Sequence, residues 1–250
     1  MGYREVAEHA FAEARAFYTG GRKRKDWVGV SEDTAPGPGK SPNKMLLDAE
    51  HAKMLEVIEI GDQTGRDLVF ELRRSVGAQE FMRSFEAEIA GDCPVRYGEE
   101  LVRLAVKGAN CGELASVAAH AAWAKLGRPD DVKDIAVASL EKPGDHGWCV
   151  VGPAAAVASI AGKTIAGLKG VTHSPEPVFA VDAWTNLCCP IGEFHDLVQG
   201  RAGKWTTGGK RVSWTGKDGN KKGWYPPSGD YIAAFVGSAI KIQYGLEPYG

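Results

Sequence analysis

The sequence predicts an α+β fold, in which a helical N-terminal half precedes an antiparallel sheet. Before Pro129, apolar residues recur at helical spacing, whereas the part after it contains short runs rich in β-branched and aromatic residues, separated by turns. The chain has 250 residues, of which 44% are hydrophobic and 25% charged, with a formal net charge of −2. These values fit one large buried core and give no indication of nucleic acid or an anionic membrane surface as a partner.

Five helices are predicted in the N-terminal half. The first spans the N-terminus and ends at Gly20, and the others cover residues 44–60, 66–89, 97–106 and 112–126. Residues 22–43 combine a basic run with three prolines among glycines, which is typical of a linker. We therefore expect residues 1–43 to form an N-terminal helix and a flexible linker, and residues 44–250 to form the main domain.

Four elements are predicted directly after Pro129, namely strands at residues 132–140, 148–151 and 178–181 and a short helix at residues 154–162. Residues 200–225 are rich in glycine, lysine and tryptophan and contain a candidate hairpin turn at Asp218-Gly219. This segment, the basic ribbon, is interpreted either as solvated surface or as a recognition surface for an acidic partner. The final apolar run, residues 232–242, fits a helix or a strand.

Three reactive side chains lie at the edges of these predicted elements. Cys111 opens the alanine-rich helix, His146 precedes the second strand, and Asp182 follows the third. A thiol attacks an acyl carbon as the thiolate, which a helix N-terminus and a neighbouring imidazole both favour. An aspartate can orient that imidazole by accepting a hydrogen bond from its other nitrogen. The order therefore predicts the catalytic triad of a cysteine hydrolase, with His146 as general base and then general acid.

Further residues near the triad are candidates for supporting roles. The backbone amide of Cys111 and the side chain of Asn110 are candidates for an oxyanion hole. Glu113, Trp148 and Trp184 are candidates for the substrate cleft. Each tryptophan follows a triad member by two residues, so it would share that residue's face and shield it from water.

The remaining cysteines are interpreted as structural. Cys93 and Cys149 lie in surroundings typical of a core. The adjacent pair Cys188-Cys189 has no second cysteine or histidine pair at zinc-ligand spacing, so neither a metal nor another cofactor is expected. An odd total of five cysteines without disulfide-framework spacing favours action in a reducing compartment.

A family resemblance rests on three segments, Asn110-Cys111-Gly112-Glu113, Asp145-His146 and Val181-Asp182-Ala183-Trp184. Together they resemble the papain-like cysteine hydrolases of bacterial toxins and effectors, and the transglutaminase-like core of the same architecture. The resemblance covers about residues 97–194 and implies a papain-like fold, with a helical half carrying the nucleophile and an antiparallel sheet. Plant-type papains have a glutamine shortly before the cysteine that is missing here, so the second oxyanion donor is unassigned. The 36-residue separation of His146 and Asp182 implies an inserted element.

The resemblance implies a protein substrate whose amide group forms a thioester with Cys111. We expect glutamine deamidation by a secreted effector, with a cysteine protease or a transglutaminase as alternatives at the same thioester. An arylamine-type acyltransferase uses the same three residue types in this order. A non-catalytic binding module or immunity partner on the same scaffold is an alternative from another class.

Location and partners follow from the same features. The first twenty residues are amphipathic and acidic, unlike a secretory signal. We therefore expect secretion by a signal-peptide-independent bacterial system and action in a reducing cytosol, or otherwise a cytoplasmic protein. No apolar run approaches the ~20 residues that span a bilayer, so no membrane span is expected. A chaperone or immunity protein is a possible further partner, and the oligomeric state is open.

Overall fold

The computed structural model describes residues 2–19, 34–35, 93–103, 111–130, 132–173, 176–207, 211–214, 216–217 and 223–246. The helices are α1 (Tyr3–Thr19), α2 (Pro94–Arg103), α3 (Cys111–Lys125), α4 (Ala154–Ala158), α5 (Ile191–Thr207) and α6 (Asp230–Gly237). The strands are β1 (Thr34–Ala35), β2 (Ile135–Leu140), β3 (Gly147–Val151), β4 (Phe179–Asp182), β5 (Leu187–Pro190), β6 (Arg211–Trp214), β7 (Gly223–Tyr225) and β8 (Ile240–Tyr244).

Five strands form the main sheet in the order β5-β4-β3-β2-β8, and each neighbouring pair is antiparallel. Helices cover both faces, which explains why every residue of β3 and β4 is buried. A Cβ atom at Gly147 would lie 3.6 Å from Gly112 of α3, whereas the ring of the next residue, Trp148, packs against Phe194 of α5. Because consecutive strand residues point to opposite faces, α3 and α5 lie on opposite sides of the sheet. The predicted α+β class is confirmed.

Gly98 allows α2 to cross α3 at close range. A Cβ atom at this position would overlap the carbonyl oxygen of Ser116 and come within 2.9 Å of the Cβ atom of His120. Since α2 and α3 are both largely buried, neither helix can move apart without opening the core. The crossing therefore fixes the direction of α3, the helix that begins with Cys111.

Replacing Gly98 by alanine should lower the free energy of unfolding by about 1–3 kcal/mol, because the added methyl group overpacks the crossing. Gly200→Ala is the matched control, since Gly200 lies in α5 and a Cβ atom there would meet nothing within 4 Å. That substitution should raise stability by about 0.5–1 kcal/mol through helix propensity. Urea unfolding of both variants checks the pair, and equal effects of the same sign would contradict a close crossing at Gly98.

The N-terminal helix belongs to the same core as the sheet. Val6, Ala7, Ala10 and Ala14 are fully buried and form part of the main hydrophobic cluster. At the start of α1, the Tyr3 hydroxyl donates a hydrogen bond of 2.8 Å to Asp134, before β2. Burial and this carboxylate raise the pKa of Tyr3 to about 12. Helix α1 therefore packs into the core formed by the sheet and α3, whereas the predicted boundary between residues 43 and 44 lies outside the described residues.

The basic ribbon is only partly a hairpin. Residues 200–207 belong to α5, and the hairpin consists of β6 and β7, which pair antiparallel and carry β1 as a third strand. Helix α5 was not predicted from the sequence, because it contains Gly192, Gly200 and Gly203 and glycine disfavours helices. Burial of Phe194, Val198 and Ala202 on one face stabilises α5 nevertheless.

Other predictions differ from the structure in smaller ways. The final apolar run forms both a helix, α6, and a strand, β8, on either side of Ser238. β5, which contains Cys188 and Cys189, was not predicted. The predicted helices at residues 44–60 and 66–89, and the linker apart from β1, lie outside the described residues. Within the described ranges, no helix is long and apolar enough to cross a membrane.

Candidate active site

Cys111 is the first residue of α3 and is half-buried. The amide groups in the first turn of a helix have no intrahelical partners, and together with the helix dipole they favour a negative charge at this end. Glu113 lies in the same turn and is also half-buried. Asn110, the predicted oxyanion candidate, lies outside the described residues. The sulfur thus occupies a position suited to a thiolate.

The start of β3 brings His146 to this end of α3. Gly147 and Gly112 face each other at close range, so the backbones that carry His146 and Cys111 meet without intervening side chains. The backbone of His146 is anchored to β2 by a hydrogen bond of 2.9 Å from the Leu140 amide to the His146 carbonyl oxygen. The Cys111 thiol is hydrogen-bonded to the imidazole of His146.

Asp182 holds the other side of the imidazole. Its Oδ2 atom lies 2.8 Å from Nε2 of His146, and both side chains are only 1% exposed. The pairing arises because β3 and β4 are antiparallel neighbours, with Cys149 opposite Val181. The second carboxylate oxygen, Oδ1, accepts a hydrogen bond of 3.0 Å from the Thr185 amide. With Nε2 engaged by Asp182, Nδ1 is the nitrogen left for the thiol.

The electrostatics of this cluster favour a protonated imidazole. Burial by itself lowers the pKa of His146, but the carboxylate of Asp182 and the thiolate of Cys111 outweigh it through charge and hydrogen bonding. The pKa of His146 is thereby raised to about 10, from an ordinary value of about 6.5. At neutral pH the site therefore favours an imidazolium that can stabilise a thiolate and later donate a proton.

Three aromatic rings enclose the imidazole of His146. Trp148 stacks on it with ring centroids 6.1 Å apart, Trp184 lies at 5.0 Å and Phe235 at 4.7 Å. Trp148 is completely buried and Trp184 is 5% exposed. With this burial, Trp148 presents no exposed surface, and a role for either tryptophan in a substrate cleft stays a prediction. The rings exclude water from the His146–Asp182 contact.

Phe235 and Thr185 were missed by the sequence analysis. Phe235 comes from α6, almost ninety positions after the histidine it contacts, and nothing in its local sequence indicates this. Thr185 acts through its backbone amide, which carries no residue-specific signal. Only the spacing of Asp182 and a residue three positions later, typical of a turn closed by a side chain, could have pointed to it.

Other cysteines in the described residues differ from Cys111 in their surroundings. Burial, with a neighbouring thiol as a smaller cause, raises the pKa of Cys149 far above its ordinary value. Burial likewise raises the pKa of Cys188 to about 11 and that of Cys189 to about 12. Cys93 is buried at the start of α2. The environments of Cys149, Cys188 and Cys189 hold their thiols in the protonated, unreactive form.

Among the described residues, no group of three or more histidine, cysteine, aspartate or glutamate side chains is arranged to hold a metal ion. Comparison of the chain with protein-family models, curated proteins and solved structures gave no match. The interpretation of the site therefore rests on its residues and their geometry.

Proposed function

We propose that this protein is a cysteine hydrolase that acts on amide groups of a protein substrate through a thioester at Cys111. The observation that carries the proposal is the chain of contacts from the half-buried Cys111 thiol to His146 and from His146 to the buried Asp182. A papain-like fold is part of the proposal. It is supported by a helix that begins with the nucleophile and packs on an antiparallel sheet, in which His146 directly precedes β3 and Asp182 ends the neighbouring β4.

In the first half-reaction, the Cys111 thiolate attacks the amide carbon, and the carbon–oxygen double bond becomes a single bond to an oxyanion. The amide groups in the first turn of α3 are suited to stabilise that charge. The imidazolium of His146 then donates its proton to the nitrogen, the carbon–oxygen double bond re-forms as the carbon–nitrogen bond breaks, and the amine leaves. A thioester on Cys111 and a neutral His146 remain.

In the second half-reaction, His146 takes a proton from water as the oxygen attacks the thioester carbon. The carbon–sulfur bond breaks, the acid product leaves, and the thiolate–imidazolium pair is restored. Asp182 keeps the imidazole oriented throughout and stabilises its charged form. The same thioester gives deamidation when the amine lost is ammonia, proteolysis when it is a peptide, and transglutamination when an amine replaces water.

Glutamine deamidation is our first choice among these outcomes. It agrees with the resemblance to bacterial toxins and effectors, and a glutamine side chain presents its amide on a narrow stem that can reach a half-buried thiol. Proteolysis and transglutamination are the alternatives at the same site. We further propose that the protein is a secreted effector that acts in a reducing cytosol, where its thiol stays reduced.

Intact-mass analysis of lysate proteins tests this function. After incubation with the protein, deamidation should add about one mass unit to a substrate, whereas proteolysis should yield fragments and transglutamination a cross-linked or amine-modified product. The Cys111→Ala variant is the control and should give none of these changes. Lysates unaltered by the unmodified protein, together with an unreactive Cys111, would favour a non-catalytic binding module instead.

A further inference from the structure

The loop that leads into His146 is anchored by two side chains from distant parts of the chain. Trp214, in β6, donates a hydrogen bond of 2.6 Å from Nε1 to the carbonyl oxygen of Pro143. One residue later, the amide of Gly144 donates a hydrogen bond of 2.9 Å to Oγ of Ser238, which follows α6. The two anchored residues, Pro143 and Gly144, lie three and two positions before His146 in the sequence.

Both anchoring side chains are buried, and the hydrogen bond between Gly144 and Ser238 is buried as well. Trp214 is 1% exposed and Ser238 is 6% exposed. A Cβ atom at Gly144 would lie 2.6 Å from the Cβ atom of Leu140 and 2.8 Å from Oγ of Ser238. The loop is therefore packed directly on Ser238, and losing the bond to Ser238 would leave the buried amide of Gly144 without its partner.

The Trp214 ring also supports the imidazole from a second direction. It contacts Tyr231 at a centroid distance of 6.0 Å, Tyr231 contacts Phe235 at 6.0 Å, and Phe235 contacts His146 at 4.7 Å. Tyr231 and Phe235 are consecutive contacts on one face of α6, four residues apart. Through Trp214, the three-stranded sheet of β1, β6 and β7 (the small sheet) thus contacts both the loop before His146 and helix α6, which packs against the imidazole of His146.

We propose that the small sheet of β1, β6 and β7 positions the catalytic histidine, with Trp214 and Ser238 as positioning residues. This inference rests on the proposed function, because it concerns the same imidazole. It also gives the basic ribbon a role different from recognition of an acidic partner. The part of the ribbon that serves this role is the buried ring of Trp214, which donates its hydrogen bond to the loop before His146.

The test is the pH dependence of iodoacetamide labelling at Cys111, followed by mass spectrometry, in the Trp214→Phe variant. Phenylalanine keeps an aromatic ring but removes the N–H donor. If the loop shifts, the imidazolium no longer supports the thiolate, and the midpoint of the labelling profile should move up by about one pH unit. The rate on the acidic side of the profile should then fall about tenfold.

Trp123→Phe is the matched control. Trp123 also donates its Nε1 hydrogen to a proline carbonyl oxygen, that of Pro129, at 2.9 Å, and it is likewise buried. It lies at the far end of α3, about 18 Å along the helix from Cys111. This variant should lose stability without any shift in the labelling profile.

The outcomes separate this inference from the proposed function. If His146→Gln labels with the unmodified profile, the proposed function itself fails. If His146→Gln shifts the profile but Trp214→Phe matches Trp123→Phe, only the positioning role is overturned. Should Trp214→Phe not fold, Ser238→Ala removes one oxygen atom from the second anchor, and an unchanged profile there overturns the inference equally.

Discussion

Replacing Cys111 by alanine should lower the rate of amide hydrolysis by at least about a thousandfold, because the variant lacks the thiol that forms the thioester. The free energy of unfolding should change by less than about 1 kcal/mol, since the side chain is small and half-buried. Turnover of the substrate identified by mass analysis, measured beside a urea unfolding curve, checks both parts. A variant that keeps its activity would remove Cys111 from the mechanism.

Cys149→Ala is the control for this prediction. Cys149 is fully buried in the centre of β3, so the variant should lose about 1–2 kcal/mol of stability. Its activity per folded molecule should be unchanged. Iodoacetamide should also label Cys111 well before Cys149, Cys188 or Cys189 near neutral pH, because burial keeps those three thiols protonated. Equal labelling of all four would contradict an activated nucleophile.

The sequence was sufficient to find three residues that meet in the candidate site. Cys111, His146 and Asp182 each lie at the end of a regular element, where a change of periodicity marks the boundary. The order of those elements predicted that His146 and Asp182 would meet across neighbouring antiparallel strands, and the structure has His146 directly before β3 and Asp182 at the end of β4. Local patterns were informative here because each side chain is positioned by the element that carries it.

The enclosure of the site could not be found in this way. Trp148 was placed on the face of His146, but its complete burial depends on α5 and α6 covering that face. The glycines of α5 prevented its prediction, and the final apolar run was not divided into the helix α6 and the strand β8. The contacts of Phe235 and Trp214 with the histidine region join residues about seventy to ninety positions apart. Such contacts are decided by packing, which has no signature in a single sequence.

Replacing Asp182 by alanine should be among the most destabilising changes in the protein. It removes the carboxylate from the buried imidazolium of His146 and the acceptor from the Thr185 amide. Removing one partner of a buried ion pair typically costs about 3–5 kcal/mol, because the other charge is left uncompensated. The thiolate at Cys111 should be labelled more slowly as well, since the imidazole loses its orientation.

The cost of Asp182→Ala should depend on pH in a defined direction. His146 binds its proton more tightly in the folded protein, where its pKa is about 10, than in the unfolded chain, where it is about 6.5. The stability that this proton contributes is therefore fully present below pH 6.5 or so and is lost as the pH rises toward the folded value. The stability difference between the unmodified protein and the variant should shrink over that range.

Asp182→Asn separates charge from hydrogen bonding in this prediction. Asparagine retains an oxygen that can accept from the Thr185 amide, but it carries no charge to compensate the imidazolium. The asparagine variant should therefore be more stable than the alanine variant at every pH, while its deficit relative to the unmodified protein shrinks over the same range. Chemical unfolding of the three proteins at a series of pH values measures this. A deficit that stayed constant from neutral to alkaline pH would mean that His146 is neutral in the folded protein, and the thiolate–imidazolium mechanism would have to be abandoned.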